Sequence, residues 1–268
     1  MVTRRAGGRV VKNVTGFDLT KLMTGSFGTL SVVTELTLKV LPAPPDALTI
    51  VVPGLDDAEA LQVMSRALGS RAAVTSAAHL PADVAAGSAV PAVAGAEGAT
   101  LLRLEGVTPG VRARAGHLAQ ALADAVPVIE LGSEESAAIW KEVADVAFFA
   151  EGQERMIWRL SVPPTSAAGL GAVADELGGR RFYDWGGGCL WLELPAAADG
   201  HADRVRQRLA AAVGGDGHAT LIRAPAGARS AQSPFQPLTP ALAALTDRVR
   251  RQFDPNGIFN PGRMYPQI

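Results

Sequence analysis

The chain has 268 residues, 48% of them hydrophobic, with 25 basic against 26 acidic side chains. That is enough chain for one large domain or two modest ones with a real core, and a net charge of -1 leaves no electrostatic footprint for nucleic acid. A single cysteine, Cys189, rules out a disulfide framework within the chain and fits a reducing compartment. Met1-Val-Thr-Arg-Arg has no apolar signal core, and no apolar run approaches the roughly 18 residues of a membrane span.

In chain order, residues 2–4 and 9–11 flank Ala6-Gly7-Gly8 and read as a hairpin. Asp18 caps a short helix over 19–24, and Gly25 is its exit. Residues 30–40 alternate, with Leu30, Val32, Leu36, Leu38 and Val40 on one face and Ser31, Glu35 and Lys39 on the other. The alternation predicts a half-buried strand, ended by Pro42, Pro44 and Pro45.

The middle of the chain repeats one order four times. Strand, helix and strand are predicted over 47–52, 56–68 and 73–79, then over 100–105, 111–123 and 126–131. The third and fourth units run over 155–162, 167–177 and 180–185, and over 189–194, 202–213 and 219–223. Two such steps make a ferredoxin-like sandwich, an antiparallel sheet with helices on one face. Four steps make two of them. Residues 81–98, rich in Ala, Gly and Pro, read as a linker, and 133–147 as an extra helix joining the pairs. After the loop 224–237, Thr239 caps a helix with Pro240 at its first position, and Asp254-Pro-Asn-Gly stops it.

Chemistry concentrates in a few places. In Gly25-Ser-Phe-Gly-Thr-Leu, two glycines three apart let backbone approach a bulky ligand without a Cβ in the way. Read alone, the loop is also a plain helix C-cap and turn into a strand. The four histidines, His79, His117, His201 and His218, form no metal-spaced pair. His218 begins a strand after a glycine turn and is the histidine placed to face a substrate. Arg223, at the far end of that strand, is the candidate carboxylate anchor. Trp185-Gly-Gly-Gly is either a hairpin turn or open floor beside a ligand, and Cys189 reads as a buried small hydrophobe.

Lys12-Asn13, Gly16-Phe17-Asp18, Leu22, Gly25-Ser26, Gly28-Thr29-Leu30 and Val32-Val33-Thr34 stand together in this order. The combination resembles the second half of the flavin-binding domain of FAD-linked oxidases of the vanillyl-alcohol oxidase and p-cresol methylhydroxylase (PCMH) type. The tail Phe253-Asp-Pro-Asn-Gly-Ile-Phe-Asn-Pro-Gly-Arg-Met is similar to that superfamily's C-terminus. Tyr183-Asp-Trp-Gly-Gly-Gly and Gly217-His-Ala-Thr-Leu-Ile-Arg resemble the E-subunit family of bacterial glycolate oxidases within it.

The resemblance implies an α+β chain. Residues 1–42 would be the second half of a PCMH-type FAD-binding domain, 43–224 a double ferredoxin-like cap on the substrate side, and 225–268 a segment returning to the flavin domain. FAD would lie along Asn13, Gly16, Phe17, Gly25, Ser26, Gly28, Thr29 and Val33, with Asn260 and Arg263 returning from the C-terminus. His218 and Arg223 would be the catalytic pair, and no metal is implied. The activity would be oxidation of a small 2-hydroxy acid, glycolate to glyoxylate, beside a second flavin subunit and an iron-sulfur subunit. Its place would be the cytoplasm, or the periphery of the inner membrane through that complex. The pattern departs at Phe17, where many relatives carry Tyr, and at Phe27 and Ser31. The family's first lobe, with its pyrophosphate loop, is expected before Met1. The chain therefore reads as N-terminally truncated and as a weak FAD binder by itself, with a non-catalytic assembly subunit as the alternative.

Overall fold

The computed structural model describes residues 5–10, 16–123, 127–152 and 154–265. In chain order the elements are α1 (Leu19–Met23), β1 (Asp46–Pro53), α2 (Asp57–Leu68), β2 (Ser76–Leu80), α3 (Ala82–Ala85), α4 (Pro91–Ala94), β3 (Ala99–Gly106), α5 (Thr108–Ala123) and β4 (Ile129–Leu131). They continue with α6 (Ser133–Ala144), β5 (Met156–Ser161), α7 (Ala167–Glu176), β6 (Arg180–Asp184), β7 (Cys189–Leu194), α8 (Ala202–Val213), β8 (His218–Arg223), α9 (Ala226–Ala231) and α10 (Pro240–Phe253). The chain divides into two compact units, one of residues 1–42 with 237–268, the other of 43–236.

The larger unit is built on one eight-stranded sheet in the order β4-β1-β3-β2-β6-β7-β5-β8, with every pairing antiparallel. Its first four strands run 4-1-3-2. Read from the other edge, the last four repeat that order as β8-β5-β7-β6. Each half is a strand-helix-strand pair taken twice, so the sheet is two ferredoxin-like sandwiches laid edge to edge. The joint between them is narrow, a single ladder pair, His79 opposite Tyr183.

The helices form where caps and apolar stripes coincide. Asp56 caps α2 by a reciprocal box: its carboxylate accepts from the Glu59 amide at 2.8 Å, and Glu59 accepts from the Asp56 amide at 3.1 Å. On one sheet face α2, α5, α7 and α8 bury Met64, Leu118, Leu170 and Leu209 against Leu102, Trp158 and Leu192. The opposite face carries its own layer. Residues 81–98, expected as a linker, form α3 and α4, and Val84, Ala85, Val90 and Val93 are buried there. α6 joins them through Ile139 and Trp140, and the Trp140 indole donates to Thr49 Oγ1 at 2.9 Å. The physical reason is that β1 and β3 are apolar on both faces, with Ile50, Val51, Leu101 and Leu102 all fully buried. A bare second face would leave that surface wet.

The smaller unit has little buried core. Among its described residues only Leu30 and Asp254 are buried. The strand expected over 30–40 does not form, and residues 32–41 are exposed, Leu36 at 66% and Leu38 at 70%. Alternation supplies an apolar face, but a strand is made by a hydrogen-bonded neighbour, and no ladder partner exists for it among the described residues. The hairpin expected around Ala6-Gly7-Gly8 lies largely outside the described residues. α10 starts as expected, with Thr239 Oγ1 accepting from the Leu242 amide, yet Leu242 and Leu245 remain 47% and 45% exposed.

Candidate functional site

In the smaller unit the glycine loop and the C-terminal turn meet. α1 is capped by Asp18 and gives way to Gly25 at φ +78°. Two tight bonds follow, from the Ser26 amide to Met23 O at 3.2 Å and from the Thr29 amide to Ser26 O at 3.0 Å. They turn the chain back through Phe27 at φ +52° and Gly28 at φ +72°. At the other end of the sequence Asp254 is buried, and its carboxylate accepts from the amides of Ile258 at 3.0 Å and Phe259 at 2.7 Å. Burial opposes the charge, but those amides and Arg250 outweigh it and hold the carboxyl below the usual range. That turn aims Asn260, at φ +42°, so that its side-chain amide donates to Phe27 O at 3.0 Å.

A cleft of ≈ 420 Å³ lies at this junction, within the range of small-ligand sites. Ser26, Gly28, Val32, Val33, Ile258 and Asn260 line it, with Met23, Ser31 and Phe259. Of the residues singled out in the sequence, the structure brings Ser26, Gly28, Val33 and Asn260 together on this cleft, with Thr29 next to Gly28. Gly16, Phe17, Gly25 and Arg263 do not line it, and Phe17 is 94% exposed. Asn13 lies outside the described residues. Asp254 and Ile258 were not singled out. The signal for Asp254 was present, since an aspartate ahead of Pro-Asn-Gly is placed to accept from the amides that follow.

In the larger unit the candidate pair His218 and Arg223 does not make one site. They stand at opposite ends of β8, about 16 Å apart at the rise of a strand. Arg223 is committed elsewhere: its guanidinium donates to Phe149 O at 2.6 Å, Ala150 O at 2.8 Å and Glu151 O at 3.2 Å, capping a turn. The turn that follows β6 and the strand that carries His218 and Arg223 are not neighbours. β6 and β8 are the outer strands of their half, with β7 and β5 between them. A four-residue hydrogen-bond register, Asp184 to Cys189 to Ser161 to His218, crosses the same sheet end.

Trp185 opens the glycine turn at φ +53° and is 63% exposed. Gly186 and Gly187 lie against α2, where a Cβ would come within 2.4 Å of Leu68 and 2.3 Å of Leu61. The turn is therefore a packed one, and the glycines are needed for close approach.

Beneath it runs a buried polar network across the joint between the two half-sheets. Asp57 Oδ2 accepts from Tyr183 Oη and from Arg181 Nε, both at 2.6 Å. His79 Nε2 is 3.6 Å from Asp57 Oδ1, and its Nδ1 shares a 2.9 Å bond with Thr100. Burial opposes ionisation of Asp57, but bonds from His79, Tyr183 and Arg181, with the arginine's charge, hold its carboxyl down at about 2. Burial, then the Asp57 charge, pushes the Tyr183 phenol far up. With its proton fixed on Asp57, Tyr183 acts as a tie and not as a titrating group.

No family model matches the chain. The fold is shared with p-cresol methylhydroxylase, at a TM-score of 0.53 and 15% identity over 84% of this chain and 53% of that one. It is shared also with alkyldihydroxyacetonephosphate synthase, at 0.55 and 12% over 93% and 51%. The fold is thus the one seen in p-cresol methylhydroxylase and alkyldihydroxyacetonephosphate synthase. In sequence the chain is similar to glycolate oxidase subunit GlcE of Escherichia coli (strain K12), 31% identical over 264 residues, which is 98% of this chain and 62% of that protein. A stretch of 49 residues is 47% identical to D-lactate dehydrogenase of Anaerostipes hadrus, covering 18% of this chain and 10% of that one. Among the described residues no helix is long and apolar enough to cross a membrane, and no group of three or more His, Cys, Asp or Glu could hold a metal.

Proposed function

We propose that the chain is the FAD-holding subunit of an oxidoreductase that converts a small 2-hydroxy acid, glycolate to glyoxylate, within a multi-subunit complex. The observation that carries the reading is the cleft where the glycine loop and Asn260 meet, in a chain similar to GlcE along 98% of its length.

The residues fit a flavin. Gly28 keeps Cβ volume out of the loop, Val32, Val33 and Ile258 offer an apolar wall, and Ser26 and Asn260 offer polar groups. Ser26, Gly28, Val33 and Asn260 would hold the cofactor, with Asn13, Gly16, Phe17, Gly25, Thr29 and Arg263 as further candidates along it. When bound, FAD supplies a two-electron acceptor for the hydride leaving the substrate carbon. The chain's own work is to hold the loop rigid through the Asn260 to Phe27 bond and to exclude water from the apolar wall. On this reading the smaller unit is half of the FAD-binding domain and the larger unit is the cap. The partners are a second flavin subunit and an iron-sulfur subunit, in the cytoplasm or at the inner face of the membrane through the complex.

The test is reconstitution with those subunits. Glycolate-dependent reduction of an electron-accepting dye, lost on Gly28→Val together with the chain's flavin, supports the reading. Full turnover by a complex in which this chain carries no flavin overturns it. One observation favours the assembly reading instead, that His218 and Arg223 are too far apart to serve one substrate. A complex that forms and turns over with a flavin-free chain is its signature.

A further inference from the structure

The second face of the last four strands is sealed at one end and partly exposed at the other, where Cys189 and Thr220 are buried, Arg159, Ser161, Trp191 and Asp184 are half-buried and His218 is exposed. Phe182 is sealed by Phe148 and Phe149, with ring centroids 5.8 and 5.3 Å away. Beyond it the face turns polar. Alternation from the buried Trp158 and Leu160 puts Arg159 and Ser161 of β5 on this face. Register adds Thr220 and His218 of β8, Trp191 and Cys189 of β7, and Asp184 of β6.

Arg159 stands out there. Eight arginines of this unit are half-buried: Arg103, Arg114, Arg155, Arg159, Arg180, Arg181, Arg206 and Arg223. Seven are paired. Arg103 meets Glu105, Arg155 and Arg180 share Glu193, and Arg181 takes Asp57 and Asp175. Arg114, Arg206 and Arg223 donate to backbone carbonyls. Arg159 has no hydrogen-bond or ion-pair partner among the described residues. A partly buried arginine with its donors unused is a recognition site for a carboxylate, which it grips in a two-pronged bond.

Asp184 faces the same ground from the other side. Its carboxylate accepts from the Trp185 amide at 2.7 Å and takes no side-chain donor among the described residues. It lies two strands and one pleat repeat from Arg159, about 12 Å between backbones, with Cys189 between them. The thiol reports both charges: burial first, then Asp184, pushes it up to about 12, while Arg159 acts the other way.

We infer that Arg159 and Asp184 are the two ends of a binding site for a small hydroxy acid on this half-buried sheet face. The acid's carboxylate sits on the Arg159 guanidinium, and its hydroxyl donates to Asp184. Thr220 and Ser161 flank the anion, and Trp191 is its wall. That the bound acid is the one oxidised rests on the proposed function; the anion site itself does not. The site takes the anchoring role for which Arg223 was the sequence candidate.

Calorimetric titration of the purified chain with glycolate, acetate and glycolamide tests it. Glycolate should bind, acetate more weakly for want of the hydroxyl, and uncharged glycolamide not at all. Arg159→Gln should weaken glycolate roughly 10- to 100-fold, and Arg159→Lys by less. Asp184→Asn should bring glycolate down to the level of acetate. Thermal melts of Arg159→Gln should match the parent, since that charge holds no fold contact among the described residues, and Asp184→Asn keeps an acceptor for the Trp185 amide. Glycolate binding that ignores Arg159→Gln, or no binding to the parent chain, overturns the site. The two readings fail separately. Glycolate binding unchanged by Arg159→Gln, with turnover in the complex intact, removes the site and leaves the oxidase. Carboxylate binding lost in Arg159→Gln, with no turnover of 2-hydroxy acids, keeps the site and removes the oxidase.

Discussion

The side-chain amide of Asn260 donates to the carbonyl of Phe27 at 3.0 Å, across 233 residues of sequence, and both residues sit at positive φ. Left-handed backbone at a non-glycine residue costs roughly 1–2 kcal/mol and persists where surrounding contacts enforce it. Here each strained residue is held by the other. Asn260→Ala should cost about 1–2 kcal/mol locally, read as faster amide hydrogen exchange over residues 25–30. Asn260→Gly relieves the strain but still lacks the amide. If Asn260→Gly restores protection, backbone strain and not the bond is the controlling factor.

Gly28 and Gly16 make a matched pair for testing the cleft. Both sit at positive φ, +72° and +80°, so alanine is strained at either position. A Cβ at Gly28 would lie 2.7 Å from Asn260 Nδ2, whereas one at Gly16 meets nothing within 4 Å. Gly28→Ala should therefore lose flavin from the purified complex well before Gly16→Ala does. Equal flavin content in the two would dissociate the cleft from the cofactor.

The Asp57 network gives acid sensitivity of defined sign. Its carboxyl titrates at about 2 in the fold against 3.8 for the free group. Stability from this residue is then fully present above pH 4 and is lost as pH falls toward 2. Asp57→Asn should flatten that part of the acid limb in urea melts taken from pH 5 to 2. At neutral pH it should also destabilise, since Arg181 loses the more buried of its two carboxylate partners. Tyr183→Phe removes one bond to a charged acceptor and should cost about 1.5–3 kcal/mol.

Arg223 should behave as a structural residue. Arg223→Met strips three carbonyls of their donor, an expected loss of about 2 kcal/mol. In a chain of this size that is a fall of roughly 4–8 °C in melting temperature. On the proposed function, the KM for glycolate should not move. A raised KM with an unchanged melting temperature would return Arg223 to the substrate.

Local signals read well from the sequence where local physics decides. The bounds of β7 and α8 follow from alternation and an apolar stripe, and Asp18, Asp56 and Thr239 sit where caps are needed. The double ferredoxin-like order follows from the fourfold repeat. What stayed hidden depends on partners far along the chain. Residues 30–40 carry a strand's pattern without a neighbour among the described residues to make one. Residues 81–98 look like a linker because small residues cover a sheet face as well as they fill a loop. His218 and Arg223 are close in sequence yet far apart in space, because a strand separates its ends. Arg159 gave no signal, since its distinction is the absence of a partner that its seven half-buried counterparts have.

Among the described residues one ladder pair, His79 with Tyr183, is the strand pairing that joins the two four-stranded halves. Their union otherwise rests on apolar packing through both layers and on the charges gathered at Asp57. These respond to different variables. Apolar packing weakens on cooling, and the Asp57 bonds weaken on acidification. Cold, acidic solution is accordingly where the halves should part company first, each keeping its own hydrogen-bonded sheet, whereas heating at neutral pH should take both together.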